Sequence, residues 1–533
     1  MPNKPGGRRA SQCRAPPMGV MDAVDEVDEE EGRFDGGVTI FMRPVYCSPH
    51  DPLKACVKSD APSVFPLRGL GCALVATSGG AFSFFMPTSS PNSLALGLDF
   101  GTTNTVVAMS SDSGRAQVLP FTLDGDTHAT FRSAMCFWDE EGDAARDLRF
   151  EAGPWAIERF IDDPTDCRFL QSFKTFAASK SFTETHLHGK RFTFEDLLTA
   201  FVERMRTHAG PALAELPLQL VAGRPVAFAG VNPNEALALE RYDRAFKRVG
   251  FEQITYVYEP VAAAFFFAQR LTKAATVLVA DFGGGTSDFS IIRFEPGAGK
   301  NGALQSIPLA HSGVAVAGDV FDYRILEHAI LPQLGHRAQF KSIDKILEVP
   351  THYHHRFAQW NQLALMKSPT VLRELREYLR YAVDRDGLGK FITLIENDLG
   401  YPLYKAVADV KAALSHAPSS KLEFRAEGFG YDLALDATIE RAAFDGWIAD
   451  DLQKIEDAVD EALGEAKLDS SEIDRVFLTG GTSFVPAVRA IFDQRFDPKK
   501  IETGDQLESI AYGLALIART ENPEVWGSSL VSS

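Results

Sequence analysis

The sequence predicts a two-lobed α/β protein, and three observations carry that expectation. An apolar strand frame closing on Asp-Phe-Gly occurs twice, as LALGLDFGTTNTVVAM from Leu94 and as VLVADFGGGTSDFSIIRF from Val277. Phe444, Ile448, Leu452, Ile455, Val459 and Leu463 lie on one face of a long helix that leads into another strand and glycine turn, VFLTGG from Val476. A chain of 533 residues also exceeds one ordinary core and suggests two to four domains or lobes.

The balance of residues, 45% hydrophobic and 24% charged, is that of a globular protein. A formal charge of -18 argues against a sequence-independent grip on nucleic acid, which needs an excess of Lys and Arg. Residues 1–85 differ from the rest. They hold Cys13, Cys47, Cys56 and Cys72, an Arg/Pro-rich opening and the acidic run DAVDEVDEEE, without sustained periodicity. They read as a disordered or non-native extension, with Met86 as a start of the native chain. GCALVATSGGAFSFFM from Gly71 is too short and too interrupted by Gly and Ser for a membrane span or signal segment. Beyond Met86 only Cys136 and Cys167 remain, which fits a reducing cytoplasm and offers no zinc spacing.

Each Asp-Phe-Gly frame reads as a β-hairpin: an aliphatic strand ends in Asp, passes a Gly/Thr turn and resumes as an apolar strand. Gly101, Gly283, Gly284 and Gly285 let the backbone come close to a ligand. Consecutive main-chain N–H groups, joined by the hydroxyls of Thr102, Thr103 and Thr286, form a concave donor surface suited to phosphate. Asp99 and Asp281 would repel a phosphate unless a divalent cation lay between, so they imply Mg²⁺ held through water. Two such turns facing one another would clamp a polyphosphate from both sides.

Other motifs weigh less. Asp-Phe-Gly occurs in protein kinases, but no His-Arg-Asp loop precedes it here. GAGKNG from Gly297 follows an antiparallel strand and opens no helix, so it reads as a hairpin turn, not a dinucleotide site. His352, His354 and His355 in THYHH have ligand-capable side chains without a second spaced pair, and read as a solvated loop or helix end ahead of a metal site.

The two hairpins resemble the phosphate-1 and phosphate-2 turns of the actin, hexokinase and heat-shock protein 70 superfamily. VYEPVAAAFFFA from Val257 resembles its first connecting helix in the heat-shock form, VFLTGGTSFVPAVRAIF from Val476 its adenosine motif, and LESIAYGLALIA from Leu507 its second connecting helix. These motifs, in order, cover about residues 94–520. The resemblance implies an actin-like ATPase fold of duplicated ribonuclease H-like lobes. Lobe I would span 94–273, with 506–520 returning to it, and lobe II 274–505 with an enlarged helical subdomain at about 323–415.

It further implies ATP/ADP and Mg²⁺ as cofactors. Asp99 and Asp281 match the aspartates that hold Mg²⁺ through water and orient the attacking water, and Gly101, Thr102, Thr103, Asn104 and Gly283, Gly284, Gly285, Thr286 match the phosphate cradles. Glu259 matches the connecting-helix glutamate, and Lys174 in FLQSFKTFA resembles the lysine that reaches the γ-phosphate. Taken alone, Lys174 reads as a surface lysine and Glu259 as a helix-start carboxylate; the five-motif frame favours catalytic roles. Asp288 is expected to support the second turn. Gly480, Gly481 and Thr482 match the adenosine loop, and Lys411 and Ser415 in DVKAALS the adenine helix.

Two departures flank the base. Ala412 and Phe484 stand where the family has arginines that pack on adenine, and Phe484 is a stacking substitute. The resemblance is expected to stop short of an interdomain linker and a peptide-binding β-sandwich after Thr520, and residues 324–410 read as longer than the matching heat-shock subdomain, which is what the YegD-like branch would show. The expectation is therefore a cytoplasmic, slowly ATP-hydrolysing chaperone-family protein, with a protein partner for the insertion and neither nucleic acid nor membrane as partner. The alternatives are a nucleotide-switched scaffold and a small-molecule kinase of the same superfamily.

Overall fold

The computed structural model describes residues 64–66, 73–76 and 82–85. From 95 to 527 it describes all residues except 111–114, 140–147, 164–166, 218, 231, 298–304, 360–365, 367, 429, 505–507 and 521–522. The chain divides into two compact units, Met1–Met86 and Pro87–Ser533. In the first, the strands Val64–Pro66, Ala73–Ala76 and Phe82–Phe85 pair antiparallel. The rest of residues 1–85, expected to be a disordered or non-native extension, lies outside the described residues.

The second unit contains the α/β body. Strands β1 (Ala95–Phe100), β2 (Asn104–Ser110), β3 (Ala116–Val118), β4 (Phe131–Arg132), β5 (Gln219–Arg224) and β6 (Gln253–Tyr258) form one sheet in the order β6-β5-β1-β2-β3, with β4 paired to β2. Strands β7 (Ala275–Phe282), β8 (Ser287–Glu295), β9 (Gln305–Val314), β10 (Arg475–Thr479) and β11 (Ile501–Thr503) form a second sheet in the order β9-β8-β7-β10-β11. The two repeat one plan. In each, an antiparallel meander carries two parallel strands beside its first member. Duplicated sheets of this kind make the two lobes of an actin-like ATPase fold.

Both Asp-Phe-Gly frames are central strands, and every residue of β1 and β7 is buried. That burial on both faces explains their unbroken apolar runs. One face of the first sheet covers an aromatic core that includes Phe100, Phe131, Phe173, Phe201 and Tyr242. Helices α1 (Glu259–Ala268) and α5 (Ser509–Ile517) cover its other face and share a core with Val277 and Val279 of β7. Contact there is backbone to backbone: a Cβ on Gly97 would lie 2.5 Å from Ala511 O and from Ala515 N, and one on Gly513 would collide with Ala262 O.

Between β9 and β10 lie α2 (Gly318–Ile325), α3 (Gly400–Leu414), α4 (Ala449–Ala466) and several further helices. The insertion is not purely helical as expected. It contains the hairpin Gln339–Ser342/Lys345–Glu348, and a longer hairpin, Ser419–Gly428/Tyr431–Glu440, follows α3. The helix expected before the glycine turn is broken into Arg441–Trp447 and α4 at Ile448, although Phe444, Ile448, Ile455 and Val459 are all buried on its inner face. The GAGKNG stretch lies in the connection between the antiparallel β8 and β9; residues 298–304 are outside the described ones.

The solvated reading of THYHH is overturned for His354, which is 0% exposed. Its Nε2 lies 2.9 Å from Leu334 O, its ring stacks on Phe391, and its buried Nδ1 has no partner among the described residues. Nε2–H donates to Leu334 O, so a proton on Nδ1 would be buried without an acceptor. Burial pushes the His354 imidazole down to about 4 from 6.5; His336 and His355 push the same way, and the Leu334 hydrogen bond opposes them. A depressed base is neutral in the fold and binds its proton more readily when unfolded. Its stabilising contribution is therefore complete above pH 6.5 and is lost as pH falls towards 4. Urea unfolding is expected to show about 2 kcal/mol more loss between pH 7.5 and pH 5 in the native chain than in His354→Leu. Equal losses in the two proteins would remove His354 as the source.

Candidate functional site

A cavity of about 440 Å³ opens between the two sheets, and every residue assigned to the site in the sequence lines it: Asp99, Gly101 to Asn104, Lys174, Glu259, Asp281, Gly283 to Thr286, Lys411, Ser415 and Gly480 to Thr482. The hairpin registers set the phosphate turns. Phe100 pairs with Thr105 and Phe282 with Ser287, which leaves Gly101 N–H donating to Asn104 O (3.1 Å) and Gly283 N–H to Thr286 O (2.9 Å). The turns face each other closely. A Cβ on Gly284 would lie 2.7 Å from Thr103 Oγ1 and 3.2 Å from Asp319 Oδ1, so only glycine leaves space there.

Lys174 and Glu259 meet from distant parts of the chain. Lys174 lies on the short 3₁₀ turn Phe173–Phe176, after Ser172, which takes the left-handed conformation at φ 56°. Left-handed backbone costs a non-glycine residue about 1 kcal/mol or more. Here it turns both Gln171 and Lys174 to the cavity. Glu259 opens α1, and Gly223 beside it makes space, since a Cβ there would lie 3.1 Å from Glu259 Cγ. Lys174 Nζ donates to Glu259 Oε1 at 2.8 Å, both side chains being at most 8% exposed.

This is an electrostatically loaded centre. Burial, then the Glu259 charge, pushes the Asp99 carboxyl up to about 8, with Lys174 opposing. Burial and the charges of Glu259, Asp99 and Asp288 push Asp281 well above its ordinary range. Burial would pull the Lys174 ammonium down, but Glu259, Tyr242 and Asp99 raise it overall. Carboxylates crowded in this way favour a divalent cation. Among the described residues no group of three or more His, Cys, Asp or Glu side chains is spaced to hold a metal directly.

Asp288 does more than support its turn. Its Oδ2 accepts from Thr286 Oγ1 (2.6 Å), while Oδ1 accepts from the N–H groups of Val226 (2.7 Å) and Ala227 (3.1 Å). It thereby ties the second phosphate turn to the segment following β5. At the opposite end, Lys411 Nζ donates to Asp322 Oδ2 (2.9 Å) and Gly318 O (3.0 Å). Gly480, at φ 83°, packs on the Phe282 carbonyl, where a Cβ would collide. Ala408, Ala412, Ser415 and Val485 wall this end. Phe484 is 38% exposed and does not line the cavity, so the expected stacking substitution is replaced by these smaller side chains.

Reasoning from the sequence missed Arg132, Gln171, Asp319 and Asp322, which also line the cavity. Asp319 and Asp322 stand one helical turn apart in AGDVFD at the start of α2, a spacing that could have flagged them. Gln171 precedes Lys174 without any motif; it is 8% exposed and its Oε1 is buried without a partner among the described residues.

The family described as Hsp70 protein matches residues 157–343 and 395–531, more than half of the chain. The chain belongs to the Hsp70 family. It is similar to the chaperone protein DnaK of Deinococcus deserti, 24% identical over 438 residues that cover 80% of this chain and 59% of that protein. The chain thus spans about three-fifths of the length of the curated relative it matches. For an Hsp70 protein, the cavity between the duplicated sheets is where the family's motifs converge. No helix among the described residues is long and apolar enough to cross a membrane.

Proposed function

We propose that this Hsp70-family protein binds ATP with Mg²⁺ in the cleft and hydrolyses it slowly, as a chaperone-family protein of the YegD-like branch working in the cytoplasm. The observation that carries the reading is the Lys174–Glu259 pair at 2.8 Å, set in one cavity with Asp99, Asp281 and two facing glycine turns. The carboxylates fit Mg²⁺, whose charge would offset theirs and that of the phosphates and help bring a water to the transferred phosphate. The turn N–H groups and the hydroxyls of Thr102, Thr103 and Thr286 hold phosphate oxygens. Lys174 supplies positive charge where the transferred group gains negative charge. Glu259 fixes Lys174 in that position. Asp281 and Asp99 orient the water, Asp281 doing so from a strand end locked by its neighbours β8 and β10.

Support for the branch is the long insertion, and support for a protein partner is the exposed Ile343, Ile346 and Leu347 on and beside its short hairpin. Phosphate release from ATP and Mg²⁺ by the full chain tests the reading. Asp281→Asn keeps the shape but removes the charge, and is expected to lower the rate about 100-fold or more. Equal, background-level rates in both proteins would reject hydrolysis and leave a nucleotide-operated switch; a phosphorylated sugar or polyol would point to a kinase.

A further inference from the structure

Among the described residues three cations line the cavity: Arg132, Lys174 and Lys411. Two are committed, Lys174 to Glu259 and Lys411 to Asp322. Arg132 differs. Its Nη1 donates to Asn104 Oδ1 at 3.2 Å, and among the described residues no carboxylate lies within ion-pair distance of it. A guanidinium has five N–H donors in a planar fork matched to carboxylate or phosphate oxygens. Holding one in a partly enclosed cavity against a single neutral acceptor is unfavourable unless an anion completes its shell.

The backbone shows that this placement is built. Strand β4 consists of Phe131 and Arg132 alone, paired so that Arg132 faces Asn104 and Phe131 faces Thr105. The next residue locks the strand to the first phosphate turn: Ser133 N–H donates to Thr103 O (3.0 Å) and Ser133 Oγ–H to Gly101 O (2.7 Å). Phe131 anchors the other side in the aromatic core, 4.9 Å from the Phe121 ring. Arg132 is therefore carried on a strap bound to the turn itself.

Its position along the cavity follows from the charges around it. Lys174 acts on Asp99 and Asp281, whereas Arg132 interacts with Asp319 and Tyr401. Asp319 in turn interacts with Lys411. Arg132, paired with Asn104, lines the same cavity as Lys174 and Lys411, beside the first phosphate turn, along which a polyphosphate there would lie.

We propose that Arg132 binds the non-transferred phosphates of a nucleoside polyphosphate, supplying the cleft with a second phosphate cation besides Lys174. The proposal rests on the nucleotide-binding reading above. Its signature is affinity for the diphosphate that adenosine does not share.

Titration of the full chain with MgADP and with adenosine, for the native protein, Arg132→Ala and Arg132→Lys, tests it. Arg132→Ala is expected to weaken MgADP about 10- to 100-fold, the strength of a charged hydrogen bond. Adenosine affinity is expected to stay within about twofold, and Arg132→Lys to recover part of the loss because it keeps the charge without the fork. Under single turnover at saturating protein, Arg132→Ala is expected to hydrolyse bound ATP more slowly as well, because the phosphates it holds belong to the leaving group. MgADP binding by Arg132→Ala as tight as native would overturn the assignment, while leaving the nucleotide reading intact. Equal loss of MgADP and adenosine would also overturn it, as the mark of a merely structural residue. A native chain that binds no MgADP would instead remove the nucleotide reading and this assignment with it.

Discussion

Lys174→Ala is expected to slow ATP hydrolysis about 100- to 1,000-fold under single-turnover conditions, the usual cost of removing a preorganised charge from a transition-state site. The same change has a second effect, on stability. Lys174 is the cation that opposes the mutual repulsion of Asp99, Glu259 and Asp281, and its loss leaves Glu259 buried without its 2.8 Å partner. Removing one member of a buried pair costs about 3–5 kcal/mol in a closed interior, and less where a cavity admits water, as here. The two effects separate in Lys174→Ala/Glu259→Gln. Neutralising Glu259 is expected to restore most of the stability measured by urea unfolding and none of the rate, because the charge at the phosphate is still missing. A single-variant rate within threefold of native would exclude Lys174 from the chemistry. Recovery of the rate in the double variant would show that the lysine acts only by holding the fold.

Gly513→Ala is expected to destabilise the second unit by about 3 kcal/mol or more, although alanine is the better helix former by about 1 kcal/mol. Helix α5 is gripped on two sides. On one, Ala511 O and Ala515 N would lie 2.5 Å from a Cβ on Gly97 of β1; on the other, a Cβ on Gly513 would strike Ala262 O of α1. Both obstacles are backbone atoms, so no side chain can turn aside, and relief requires α1 and α5 to separate. Their shared core contains Val261, Leu514 and Ile517, all fully buried, and would open with them. Since α1 begins at Glu259, the strain also reaches the Lys174 pair. Urea unfolding measures the effect, and a loss below 1 kcal/mol would mean that the helices part easily.

How much of this was legible beforehand depended on how local each signal is. The strands ending at Asp99 and Asp281 could be read because full burial on both faces writes itself as an unbroken apolar run, and because the glycine turns follow immediately. The α4 face could be read from its period, although the break at Ile448 could not, since the nearby Gly446 is a single glycine of the kind that a helical period tolerates. His354 was misread: three histidines in five residues look polar, yet one carbonyl and one phenylalanine ring suffice to bury the central one. Phe484 was misplaced for a related reason. A short turn decides which of two neighbours, Phe484 or Val485, faces inward, and hydrophobicity alone does not distinguish them.

The sequence by itself determined the duplicated Asp-Phe-Gly turns, the strands that carry them and the residue types suited to phosphate, because these follow from backbone sterics and burial within a dozen residues. Only the tertiary structure decided that Lys174 meets Glu259 across 85 positions, that Asp288 reaches back to Val226, and that Arg132 meets Asn104 in the cavity with no ion pair among the described residues. Charge pairing is a property of distance in space, and the pairing of β4 with β2 that places Arg132 leaves no trace in the order of residues around it.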